Sequence, residues 1–197
     1  SLTALNETNI DATVAAVAVA GAAGNGAGAA SIGGVYVSNR IGAEDNKFTT
    51  RASMTNAKFT ITGAAVISAT NSARIIAAGG AGSAAVAASL TLSVALSGAG
   101  AGVYNEVYSE TIAELTRTSA MTDRSTLLQV GSLSVTVSET SYVTAHAVGA
   151  AVAAAVGLYT GVAISIGVAI AENYVDAIAK AQISDDLAAA VNSPMVI

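Results

Sequence analysis

The sequence predicts an all-β protein of repetitive architecture, built from stacked long hairpins or solenoid-like coils, and three observations point there. Residues 12–39, 75–105 and 147–171 carry no charged side chain. Each of these stretches ends beside an Asn in a small-residue, Tyr-containing setting: Asn39, Asn105 and Asn173, separated by 66 and then 68 residues. Within the runs, large and small side chains alternate, as in Val162, Ile164, Ile166, Val168 and Ile170 against Ala163, Ser165, Gly167, Ala169 and Ala171. A period of two is the strand signal. Units repeating at this interval bury their apolar surface against one another and build extended structure.

Repeat units are expected over 1–49, 50–115 and 116–197, each with a Thr/Ser-rich lead, an apolar run and the Asn marker, the first lead being short. Two weaker markers keep a similar step: Thr50-Arg51-Ala52-Ser53-Met54-Thr55 returns as Thr116 to Thr122, and Asn6-Glu7-Thr8-Asn9 is echoed by Ser138-Glu139-Thr140-Ser141. The leads read as half-buried strands, with Phe59 and Ile61 set among Lys58, Thr60 and Thr62, and Leu133, Val135 and Val137 set among Ser132, Ser134, Thr136 and Ser138. Turns are expected inside the runs at Gly24-Asn25-Gly26, Gly79-Gly80-Ala81-Gly82 and Gly157 to Gly161, which makes each run a long hairpin. In the second run Val86, Leu90, Leu92, Val94 and Leu96 share one parity while Ala87, Ser89, Thr91, Ser93 and Ala95 share the other. Neither face is charged, so both faces call for a cover. The single proline, Pro194, interrupts none of these ladders.

Composition narrows the function. The chain is 53% hydrophobic yet holds 2 Phe, 6 Tyr and no Trp, with 19 Gly, so its core must come from Ala, Val, Ile and Leu packed at short range. A net charge of -5 with 8 Lys and Arg offers no footprint for a nucleic-acid backbone or an anionic membrane. With no Cys, thiolate metal sites, disulfides and cysteine nucleophiles are excluded. The chain begins at Ser1 close to the start of a unit, as a segment of something longer would. A helical reading competes: Val148, Val152 and Val156 fall at helical spacing, and Gly157 and Gly161 form a Gly-x-x-x-Gly pair in a run long enough to cross a bilayer. The glycine clusters and the period of two favour strands.

Candidate chemistry is sparse. His146 is the only histidine, so neither a histidine-rich metal site nor a catalytic triad can be assembled around it. Gly24 to Ala29 fits Gly-x-Gly-x-x-Ala with Glu44 and Asp45 downstream, but the next segment, Ser31 to Val37, reads as strand where a dinucleotide site needs a helix. Gly79 to Ala84 starts like a calcium-binding nonapeptide and has Ala84 where the carboxylate belongs. Glu44-Asp45-Asn46 and Asp185-Asp186 read as solvated loop carboxylates. No cofactor, metal or enzyme activity is expected. The residues singled out for contact or stacking are Tyr36, Tyr104, Tyr174, Asn39, Asn105 and Asn173. Asn suits a strand end or a place where a unit stacks on its equivalent. The tyrosines suit capping of an apolar layer and, as a second role, stacking on a host or cell-surface glycan.

The succession Leu133-Ser134-Val135-Thr136-Val137, then Ala147 to Val152, then Gly161 to Asn173, resembles the Ala/Gly/Val-rich repeats of giant repetitive bacterial surface adhesins, the haemagglutinin-like and leukotoxin-like secreted proteins. The resemblance covers the third unit well, the second less fully, where Gly98 to Gly102 replace the Val/Ile alternation, and the first over 12–39. It implies a structural repeat segment of an extracellular or cell-surface bacterial fibre or adhesin that supplies reach and self-association, and it carries over no catalytic residue. Its partners would be neighbouring repeats or copies of the same chain. Charged residues in 40–58 and 106–126 would then be loops facing solvent. The alternative class is a membrane-inserting or pore-forming segment, which the thin aromatic content disfavours.

Overall fold

The computed structural model describes residues 1–57, 60–118 and 129–185. All of the regular structure within them is strand. β1 (Leu2–Gly24) and β2 (Ala27–Ile41) form the first coil, continued by β3 (Phe48–Thr55); β4 (Thr60–Ser89) and β5 (Leu92–Arg117) form the second; β6 (Gln129–Gly157) and β7 (Thr160–Asp185) form the third. β1, β4 and β6 make one parallel sheet, sheet A, and β2 with β3, β5 and β7 make the other, sheet B. Lys58, Phe59, Ser119 to Thr122, Asp186 and Pro194 lie outside the described residues.

The two arms of each run are therefore not hairpin partners. β1 pairs with β4 and β2 pairs with β5, so each arm lies beside its equivalent in the next coil and faces the other arm across the core. Of the two architectures left open by the sequence, parallel coils are the one adopted. β1 is 23 residues long and β4 is 30, or roughly 75 to 100 Å at about 3.3 Å per residue. That is several times the length of an ordinary strand.

Two turns fall where the glycines place them, at Asn25-Gly26 and Leu158-Tyr159. The third does not. Gly79 to Gly82 lie inside β4, and the chain reverses at Leu90-Thr91, because Gly24, Ser89 and Gly157 share one row. A Cβ on Gly79 would sit 2.9 Å from Val103 Cγ2 of the facing sheet, so this glycine makes room for a valine across the core. Gly33, Gly149 and Gly167 do the same more severely: a Cβ on Gly149 would overlap the Val168 carbonyl, and one on Gly167 would lie 2.7 Å from the Gly149 oxygen. The sheets are in backbone contact there, which only glycine permits.

Side-chain parity produces an inverted pattern. The small residues point inward: Ala77, Ala81, Ala85 and Ala87 of β4 face Ala95, Ala99 and Ala101 of β5. Larger buried residues, Ile67, Ile75, Val103 and Val107, concentrate toward the charged half. The alternating Val and Ile of the runs point outward: Val17 and Val148 on sheet A and Ile32, Ile164 and Ile166 on sheet B are exposed. One face of each sheet is covered by the other sheet. The opposite face of the uncharged half is open, whereas parallel sheets are normally covered on both sides.

Candidate functional site

The Asn residues singled out by the sequence come together in one column. Asn39, Asn105 and Asn173 occupy the same row of sheet B. Asn39 Nδ2 donates to Asn105 Oδ1 at 2.9 Å, and Asn105 Nδ2 donates to Asn173 Oδ1 at 2.9 Å and to the Thr144 carbonyl of sheet A at 3.3 Å. Asn105 is 0% exposed. An amide carries two donors and an acceptor, so one residue can serve the coil above, the coil below and the facing sheet. These Asn stand within the strands rather than at their ends.

A second column, in sheet A, joins Asn6, Asn71 and Glu139. Asn6 Nδ2 donates to Asn71 Oδ1 at 2.7 Å, and Asn71 Nδ2 donates to Glu139 Oε1 at 2.9 Å. The Glu139 carboxylate also accepts from Ser141 on its own strand and from Ser109 and Thr111 of sheet B. It ties the sheets together, as do the Ser83 hydroxyl's contacts with Ser31 O at 2.8 Å and Ser97 Oγ at 2.7 Å. Such cross-sheet bonds fix the register of one sheet against the other. The echo of Asn6 to Asn9 in Ser138 to Ser141 lies one residue from this register, and Asn71 is hard to find in the sequence because its neighbours differ. The Thr50 to Thr55 marker is not aligned with its echo, since Thr50 pairs with Thr111.

The tyrosines do not form a column. Tyr36 shares its row with Gly102 and Ile170, Tyr104 with Ser38 and Glu172, and Tyr174 with Arg40 and Glu106. All three belong to the outward parity of sheet B. The Tyr36 ring leans over Gly102, where a Cβ would come within 3.1 Å of Cδ2, so glycine in the middle strand is the seat of the ring. Tyr36, Gly102, Val103, Tyr104, Ile170 and Glu172 line a recess of about 360 Å³.

Beside it lies a polar cluster centred on Glu106. Glu106, 5% exposed, pairs with Arg40 of the first coil and accepts from the Tyr104 hydroxyl at 2.8 Å and the Tyr108 hydroxyl at 3.4 Å. The Tyr104 hydroxyl, then the Arg40 guanidinium, hold the Glu106 carboxyl below its usual range against the opposing effect of burial. The same hydrogen bond pushes Tyr104 up to about 12. Burial and the nearby carboxylate push Tyr108 up as well, and its ring lies 5.3 Å from that of Tyr174. Farther along, Glu114 accepts from Arg51, Ser53 and Gln182, and these contacts lower its pKa.

An insertion covers this cluster. Ile41 pairs with Val107 and Phe48 with Ser109, so residues 42–47 stand against the single Tyr108. The loop closes on itself through Ala43 N to Asn46 O at 3.0 Å and Asn46 N to Ala43 O at 3.1 Å. Lys47 pairs with Asp176 of the third coil, carrying the loop across the outer face. Residues 106–117, expected as loop, are strand, and Glu106 and Glu114 within them are buried and paired with Arg40 and Arg51. The period of two survives through them, but the dense charge masks it. The chain matches no protein-family model, no curated protein and no solved structure.

Proposed function

We propose that this chain is a structural repeat segment of an extracellular bacterial fibre or adhesin whose function is self-association through stacked coils. The observation that carries this reading is the long parallel pairing of each arm with its equivalent in the next coil, with amide columns running through the stack and, among the described residues, an unpaired edge at either end. Magnitudes weigh self-association above reach. Three coils advance only about 14 Å along the stack at about 4.8 Å each, while the strands extend several times that distance across it. Such a segment is a broad ribbon, and length comes only from many coils in series. The open apolar outer faces, with Val17 79% and Ile32 84% exposed, add lateral surface of the kind that marks association sites.

The test is far-UV circular dichroism in detergent-free buffer, with negative-stain microscopy and fibre diffraction of the same sample. A β spectrum, ribbons and a reflection near 4.8 Å along the long axis support the reading. A compact particle without that repeat contradicts it.

One observation favours a second reading. Exposed Val and Ile on both outer faces, together with Leu90, Leu158 and Tyr159 at the turns, form an uncharged wedge suited to lipid. Its open strand edges are costly in hydrocarbon, so a membrane-inserting role requires several copies to cover them. Flotation with neutral liposomes, with dispersion only in detergent, would favour it.

A further inference from the structure

We infer that copies of this chain join head to tail, the third coil of one seated on the first coil of the next, with the Asn39–Asn105–Asn173 column continuing across the joint. This inference rests on the stacked-coil reading above and specifies its partner and polarity.

The column has a direction. Each amide donates toward the third coil, so Asn39 leaves its Oδ1 acceptor at one end of the stack and Asn173 leaves its Nδ2 donors at the other. A second copy placed in sequence brings Asn173 Nδ2 to the Asn39 oxygen. A two-fold contact between like ends makes no such match, so the joint is heterologous and does not close. Neighbouring rows agree with it. Continued in register, Glu172 meets Ser38, Tyr174 meets Arg40, and Ile166 meets Ile32, which gives a hydroxyl donor for a carboxylate, a cation for a ring and an apolar pair. The 42–47 loop does not obstruct the first-coil edge, because the Lys47–Asp176 pair draws it over the outer face toward the third coil.

One row opposes the joint. In sheet A the column ends in the Glu139 carboxylate, and Asn6, whose Nδ2 is given to Asn71, offers its oxygen. Acceptor then faces acceptor. The two columns thus make opposite demands on substitutions at the third-coil edge.

The experiment is sedimentation velocity of the 197-residue chain over a range of concentrations, with far-UV circular dichroism as the check on folding. Asn173→Asp keeps the acceptor for Asn105 and removes the outward donor, and it should weaken end-to-end association about tenfold or more. Glu139→Gln supplies a donor and removes the charge, and it should strengthen association by a comparable factor. In a third protein, Glu7→Cys and Thr140→Cys together should oxidise to a ladder of multimers, because the two positions share a row, while Thr140→Cys alone should not dimerise. Disulfide dimers of Thr140→Cys alone, or association unchanged by both edge variants, would overturn the joint. So would a β-rich chain that stays monomeric at every concentration, which leaves the coil architecture intact. A chain without a β spectrum would overturn the stacked-coil reading itself.

Discussion

Replacing Asn105 is the sharpest internal test of the amide columns. Its side chain is fully buried and makes three hydrogen bonds, to Asn39, Asn173 and the Thr144 carbonyl. At about 1 kcal/mol net each, Asn105→Ala should cost about 3 kcal/mol, a large share of the roughly 5–15 kcal/mol typical of a domain. Asn39→Ala removes one such bond at the edge of the stack and should cost about 1 kcal/mol. The difference of about 2 kcal/mol moves a urea midpoint by about 1 M for a chain of ordinary denaturant sensitivity. Asn105→Asp keeps the shape and the acceptor but sets a carboxylate against the oxygens of Asn173 and Thr144. It should be worse than Ala at neutral pH and recover on acidification. Urea titration followed by circular dichroism measures all three. Equal midpoints for Asn105→Ala and Asn39→Ala would refute the claim that the column stabilises the stack beyond backbone pairing.

The same geometry sets other outcomes. Gly149→Val drives a side chain into the Val168 backbone, and its cost should reach or exceed the roughly 1–3 kcal/mol usual for overpacking, read as a lower urea midpoint. Gly42 has φ +71 and lies against the Tyr108 carbonyl, so Gly42→Ala should cost about 2 kcal/mol, read in the same assay and accompanied by faster proteolysis at 42–47. Glu106 and Glu114 are both lowered in the folded chain. Their stabilisation is therefore complete above the ordinary carboxylate range and is lost as pH falls through their depressed values. Glu106→Gln with Glu114→Gln should flatten that acid limb in thermal melts taken from neutral pH downward, and an unchanged limb would count against the assignment. Tyr104 should ionise near 12, and Tyr104→Phe should remove that step from an ultraviolet titration.

Strand character and repetition were legible because period two and the Asn spacing survive in the sequence. Asn39, Asn105 and Asn173 share a row, and Leu133, Val135 and Val137 point into the core as their alternation implied. What escaped was the partner of each arm. A glycine turn between two apolar arms is compatible with a hairpin or with an arch, and pairing with a segment more than 60 residues away leaves no local trace. Gly79 to Gly82 misled because glycine serves both chain reversal and close sheet approach. The inverted parity was hidden for a related reason: alternation identifies two faces without saying which is inside, and here Ala and Ser fit the narrow gap that Val and Ile do not. Glu106 and Tyr108 were obscured by an insertion in the first coil that shifts the partners of Phe48 to Thr55 by five positions relative to Ile41.

The parallel coil arrangement is tested most directly by disulfide trapping, which the absence of cysteine makes clean. Thr3 and Ser68 are exposed row partners with hydroxyls 3.1 Å apart, a spacing compatible with a disulfide between the same positions. Val19 and Ile32 would be opposite one another in a hairpin about Asn25-Gly26, but here they point away from each other on the two outer faces. Parallel coils require Thr3→Cys with Ser68→Cys to cross-link within the monomer on mild oxidation and Val19→Cys with Ile32→Cys to remain reduced; the reverse outcome would contradict the architecture.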